Sequence, residues 1–181
     1  MTVDRVETER LVGCRPALRD ADELHPILAD ERVAAWLWPG ELGGPRTLAQ
    51  VRTMLVRDVD HWQRHGFGPW IVRGRDDGSV VGRVGLARTA VGGADEVEVK
   101  WLLAADRWGQ GLATEMASAA VEAALGPLGL DSVVAFTLRE NAASRAVMER
   151  LGMQYERELE HAGRPHVLYR RSAARPPSVA T

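Results

Sequence analysis

Two glycines one residue apart stand where a helix is about to begin, in the stretch Asp106–Glu115, "DRWGQGLATE". Glycine costs backbone entropy there and weakens the first turn, so the position asks for a bare backbone. A strand, a glycine turn and a helix N-terminus together form an anion site. The first-turn N–H groups have no intrahelical partner, and the helix dipole adds positive potential. The stretch therefore points to a phosphate-bearing ligand. A second spacing, His61 and His65 at i and i+4, is one that metal ligands use. It lacks the Glu of an H-E-x-x-H pattern and any further ligand, so it reads as a polar helix face, and no metal site is expected.

The elements that must position these residues belong to a chain of 181 residues, a length that suits one domain with a sizeable core. Hydrophobic residues are 45 % and charged residues 27 %, ordinary for a soluble globular protein. The net charge of −2 gives no electrostatic reason to expect nucleic acid or membrane as a partner. The single cysteine, Cys14, excludes an internal disulfide and a thiolate metal cluster, and reads as a small buried hydrophobe. No apolar run is long enough to span a bilayer, and "MTVDRVETER" lacks the apolar core of a signal peptide. The expected location is cytoplasmic.

Along the chain, Arg10 to Leu18 has strand character before Pro16, and Asp20 with Glu23 three residues later resembles a capping-box helix start. The segment from Val33 to Thr47 breaks up on Pro and Gly. Leu48, Val51, Leu55, Val59 and Trp62 recur at helical spacing. Two strands follow across an Asp-Gly turn. Glu96 to Leu103 then alternates, with Glu96, Glu98 and Lys100 on one face and Val97, Val99, Trp101 and Leu103 on the other. Leu112, Met116, Ala119 and Ala123 form a helical stripe, and "SVVAFTL" suits a strand buried on both faces. Asn141 caps a further helix that buries Ala143, Val147 and Leu151, with Gly152 past its end. Two strands finish the fold, with His161 and His166 flanking their turn. Trp36, Trp38 and Trp62 read as core. The order gives a mixed α+β sheet as one domain over residues 1–171, with 172–181 a disordered tail.

Three ligands compete for the glycine turn. A Walker loop needs Gly-Lys-Ser/Thr, which is absent. A dinucleotide fingerprint fits Gly109 and Gly111 but finds Thr114 in its third place, and its acid, Asp131, falls before the next strand rather than at its end. The third is the pyrophosphate of coenzyme A. "WLLAADRWGQGLATE" resembles the acetyl-CoA motif of the GNAT N-acetyltransferases, Q/R-x-x-G-x-G/A, with Gly111 and Ala113 in the small positions and Trp108 in the first. Trp108 resembles one branch, the ribosomal-protein N-terminal acetyltransferase-like (RimJ/RimL-type) enzymes, which read W-G-x-G-x-A-T-E. That branch also begins with T-E-R-L, here Thr8 to Leu11. It carries N-x-x-S and E-R/K-L-G-M/F as well, here Asn141 with Ser144 and Glu149 to Met153.

The resemblance implies a GNAT fold: a mixed, mostly antiparallel sheet of six to seven strands with about four helices, its central strands splayed around the acyl-CoA. It implies acetyl transfer from acetyl-CoA, the co-substrate, to a primary amine in a ternary complex. The acceptor is a small molecule or a peptide N-terminus, and a homodimer is left open. The cofactor-binding set implied is Trp101, Leu102, Leu103, Trp108, Gly109, Gln110, Gly111, Leu112, Ala113, Thr114, Asn141 and Ser144. The strand backbone at Trp101 and Leu103 pairs with the pantetheine arm. Glu98 is the implied catalytic base, with Glu96 or a water as the alternative. Lys100 shares its face, and pairing there lowers the pKa of Glu98 and weakens it as a base. Ser144 is the implied catalytic acid, because the position at which many relatives carry Tyr is Met148 here. A non-catalytic acyl-CoA-binding or sensing domain, or the same fold with another acyl-CoA, is the alternative.

Overall fold

Alternating runs pair into one mixed sheet in a computed structural model that describes residues 3–38 and 43–174. The strands are β1 (Arg5–Glu7), β2 (Leu11–Cys14), β3 (Pro69–Gly74), β4 (Val80–Val91), β5 (Ala94–Leu103), β6 (Ser132–Leu138), β7 (Gln154–His161) and β8 (Arg164–Ser172). The helices are α1 (Ala21–Leu28), α2 (Glu31–Leu37), α3 (Leu48–His65), α4 (Leu112–Leu125) and α5 (Ala142–Arg150). The sheet order is β1-β2-β3-β4-β5-β6-β8-β7, antiparallel except for β5 and β6. Eight strands and five helices among the described residues exceed the six to seven and four expected. The extra strand is β1, an edge hairpin partner of β2. The extra helix is α2, short and overlapping the segment that its Pro and Gly mark as a loop or short helix; Asp30 caps it by accepting the Arg32 N–H at 2.8 Å.

The layers follow from the pleat. On β3 and β5 successive side chains enter opposite clusters. Trp70, Val97, Val99 and Leu103 pack with α4 and α5, through Met116, Ala120, Val147 and Met148. Ile71 and Leu102 pack with α1 to α3, through Leu24, Leu28, Val51 and Leu55. Trp62 is buried as expected, but Trp36 is 41 % exposed, and the Trp38 ring lies 4.0 Å beneath the Arg46 guanidinium. Cys14 is half-exposed, because its sulfur points at Arg5 rather than into the core. Asp20 and Glu23 form no capping box: Asp20 accepts the Ala17 N–H, and both carboxylates pair with Arg73. In α5 the inward residues are Val147, Met148 and Leu151, with Ala143 exposed. The tail boundary also shifts, because Ser172 still pairs with Ser132 in the sheet; residues 175–181 lie outside the described residues.

One break in the sheet matters most. β5 and β6 meet at a single register point, Glu98 opposite Val134. Beyond it β5 stays paired with β4 as far as Leu103, while β6 stays paired with β8 as far as Leu138. The two strands therefore separate towards the end of β5, where the chain turns into α4. No helix among the described residues is long and apolar enough to cross a membrane.

Candidate active site

The turn from β5 into α4 holds Gly109 and Gly111 at φ +75° and +79°, a region that side-chain-bearing residues avoid. A Cβ on Gly109 would meet nothing within 4 Å, and one on Gly111 only Arg10 Nη2 at 3.6 Å. The glycines thus serve the backbone's path and its openness rather than internal packing. Gly111 is the N-cap of α4 and supplies no side-chain acceptor. By contrast α2, α3 and α5 are capped by Asp30, Thr47 and Asn141. Leu112, Ala113 and Thr114 therefore begin α4 with unclaimed N–H groups beside an exposed turn. These groups fit a phosphate, which wants several convergent donors and a positive helix end.

Upstream, the β4–β5 ladder decides which β5 groups face the splay. The Ala104 N–H donates to Val81 at 3.0 Å, making 104/81 a hydrogen-bonded pair. Antiparallel alternation then turns the N–H and C=O of Leu103 and Trp101 away from β4, into the gap left by β6. It turns the groups of Leu102 towards Arg83 of β4, and the Leu102 side chain is buried under α1 to α3. Trp108, 44 % exposed, donates its indole N–H to the Leu103 carbonyl at 3.0 Å. Gln110 donates to the Asp106 carbonyl and closes the turn.

Glu98 stands at the point where the strands part. Sequence alternation puts it on a polar face, but in the fold it is only 5 % exposed. Lys100 Nζ lies 3.1 Å from Oε2, within ion-pair range but outside hydrogen-bond geometry, so that oxygen has no hydrogen-bond partner. Burial pushes the carboxyl up, Lys100 and then Arg83 pull it back, and burial prevails. The expected lowering by Lys100 is present but outweighed: desolvation exceeds the charge attraction. Arg83 is itself held by Asp58 of α3 through two bonds of 2.5 and 2.6 Å. Glu96 does not share this environment, since Arg170 grips both of its oxygens at 2.6 and 3.0 Å.

At the start of α5, Asn141 Oδ1 accepts the Ser144 N–H at 3.0 Å, which places the Ser144 hydroxyl in the first turn. Met148, one turn on, is buried. His61 is not a free polar face either. Nδ1 bonds the Phe67 carbonyl and Nε2 accepts the Arg88 N–H, both at 2.9 Å, so a neutral imidazole staples α3 to β4. No group of three or more His, Cys, Asp or Glu among the described residues could hold a metal.

Residues 10–154 match the family model "Acetyltransferase (GNAT) domain". The chain belongs to the GNAT acetyltransferase family. It is an acyltransferase of that family. The Agrobacterium tumefaciens str. C58 acetyltransferase structure superposes with TM-score 0.78 at 24 % identity, covering 94 % of this chain and 95 % of that one. Mycobacterium smegmatis RimJ, solved in complex with CoA-disulfide, gives TM-score 0.76 at 20 % identity, covering 93 % and 87 %. The uncharacterized protein YkkB of Bacillus subtilis (strain 168) is 25 % identical over 109 residues. That match spans 60 % of this chain and 63 % of YkkB.

Within this GNAT chain, sequence reasoning missed what secures the glycine turn. Glu115 accepts from Thr8 Oγ1 at 2.6 Å, from the Arg10 N–H at 2.8 Å and from Arg10 Nε at 2.7 Å. Arg10 also donates to the Gln110 carbonyl at 2.9 Å. Burial pushes the Glu115 carboxyl up, but these bonds outweigh it and hold it below the ordinary carboxylate range. "TERL" and "GLATE" thus bind each other. Both stretches were visible as motifs, but their pairing spans more than a hundred residues and has no local signature.

Proposed function

We propose that this protein transfers an acetyl group from acetyl-CoA to a primary amine by direct attack in a ternary complex. The observation that carries the reading is Glu98: a buried carboxylate with an oxygen that accepts no hydrogen bond, at the head of a strand gap whose far end is the uncapped N-terminus of α4. Gly111, Leu112, Ala113 and Thr114 hold the phosphates through backbone N–H groups, on the turn built by Trp108, Gly109 and Gln110. Trp101 and Leu103 offer backbone groups to the pantetheine amides, and a β5 N–H polarises the thioester carbonyl. The geometry leaves Leu102 out of this set. When bound, acetyl-CoA supplies an activated acyl carbon.

An acceptor ammonium must lose a proton before it attacks, and Glu98 takes it. The raised affinity of Glu98 for protons suits that task. Ser144 gives a proton to the departing sulfur; Asn141 orients it, and Met148 has no proton to give. A cytoplasmic setting belongs to the same reading, resting on the single cysteine. The test is a screen of N-terminal peptides, polyamines and aminoglycosides, following thiol release from acetyl-CoA, with calorimetric titration of CoA in parallel. Turnover on one class is the expected result. CoA binding without turnover on any class overturns transfer in favour of a non-catalytic acyl-CoA-binding domain.

A further inference from the structure

Of the 23 lysine and arginine residues, Lys100 is the single lysine. Everywhere else the chain uses arginine, whose guanidinium stays protonated and is no nucleophile at neutral pH. The one side-chain primary amine is thus the one 3.1 Å from Glu98 Oε2. Its side chain is 38 % exposed, and the neighbouring carboxylate on the strand's polar face, Glu96, is already occupied by Arg170. It lies two residues past the single register point of β5 with β6, where those strands part, with its backbone paired to Gly85 of β4. The next residue, Trp101, turns its backbone groups into that same gap.

A purely structural pair explains this poorly. Arginine would make such a contact with better geometry. An amine beside a buried carboxylate able to take its proton is what an acceptor substrate must present. We propose that Lys100 is itself an acceptor, acetylated on Nζ by acetyl-CoA bound in the β5–β6 gap. The inference rests on the proposed acetyl-transfer function.

The step balances. Glu98 takes one proton from the Lys100 ammonium. The freed lone pair forms an N–C bond at the acetyl carbonyl, the C–S bond breaks, and the sulfur takes a proton. Acetyl-CoA and the ammonium become Nε-acetyl-lysine, free CoA thiol and one proton. The product loses the Lys100 charge and leaves the Glu98 carboxyl without its nearest cation.

A single lysine makes the test unambiguous. The purified full chain is incubated with acetyl-CoA and no added amine, and its intact mass and fragment ions are read. The expected result is one acetyl group on Lys100, absent in Lys100→Arg, formed about 10²-fold more slowly in Glu98→Gln, and not formed faster in protein unfolded by urea. Turnover of an added amine with Lys100 left unmodified overturns this inference and leaves the proposed function standing. Equal labelling in Glu98→Gln or in urea also overturns it, because the mark is then uncatalysed acetylation. Labelling and amine turnover both absent, with CoA still bound, overturns both. Site mapping in the unaltered chain carries the answer where a variant does not fold.

Discussion

At the start of α4 the exposed groups are backbone amides, and everything around them serves to hold the chain still: Gly109 and Gly111 at positive φ, Gln110 closing the turn, Thr8 and Arg10 locked to Glu115. At the other end of the gap, single side chains matter: Glu98, with an oxygen that accepts no hydrogen bond, and Lys100 beside it. The first end is sensitive to backbone conformation and indifferent to most side chains. The second is sensitive to individual atoms. A substitution should therefore disturb either CoA binding or the chemical step, and seldom both.

The largest effect is expected from Glu98→Gln. It keeps the shape and removes the proton acceptor, so kcat should fall about 10²- to 10⁴-fold. The affinity for CoA should hold. Because burial raises the Glu98 pKa, the unaltered enzyme's rate should climb with pH through a limb above the ordinary carboxylate range, and the variant should lose that limb. An unchanged pH–rate profile would take the base role from Glu98. Gly111→Val comes next and attacks the other end. A non-glycine residue at φ +79° costs roughly 1–2 kcal/mol, and a branched side chain there covers the amides. CoA affinity should fall about 10- to 100-fold by calorimetry, as conformational strain and lost approach add. If kcat at saturating acetyl-CoA fell instead, the two ends would not be separable.

Glu115→Ala is a smaller, sharper probe. It leaves Thr8 and Arg10 without their acceptor and lets the turn move, without touching a first-turn amide. Urea denaturation should show a loss of about 2 kcal/mol, the scale of charge-assisted hydrogen bonds. CoA affinity should weaken less than in Gly111→Val. A stability loss with no change in affinity would mean that the interlock only holds the fold.

The same contrast decides what could be read from the sequence. A backbone that must adopt positive φ leaves glycines in the sequence, so the turn at 109–111 was legible, as was the alternation that places β5. The strand gap was legible only through the family resemblance, because pairing between β5 and β6 is set by the whole sheet. The environment of Glu98 was not legible. Alternation assigned Glu96, Glu98 and Lys100 to a polar face, which holds for Glu96 and Lys100. Glu98 is buried where β5 meets β6, under the influence of Arg83 that Asp58 holds, an environment made by residues distant in the chain. Burial therefore reversed the direction of its pKa shift. His61 misled in the same way: a histidine on a helix face looks solvated until Phe67 and Arg88 are seen to claim both nitrogens.

His61 gives the smallest prediction, confined to the layer that walls Glu98. Burial, then the weaker opposing contact to Phe67 and repulsion from His65, leave its pKa below the ordinary imidazole value. The unfolded chain then binds more protons than the folded one over the window below about pH 6.5. The stabilisation is fully present above that pH and is lost as the pH falls towards the depressed folded value, where the proton on Nε2 displaces the Arg88 N–H. His65 and His166 shift in the same direction and add to the slope. Between about pH 8 and pH 5 the loss of the His61 contact should lower Tm by about 2–4 °C, the scale of one hydrogen bond of ~1 kcal/mol at this chain length. His61→Phe should start less stable and show a shallower dependence, because the His61 contribution is gone and those of His65 and His166 remain. The neutral staple is ruled out if the variant keeps the full slope. The α4 turn carries no histidine, so Gly111→Val should keep the parent slope.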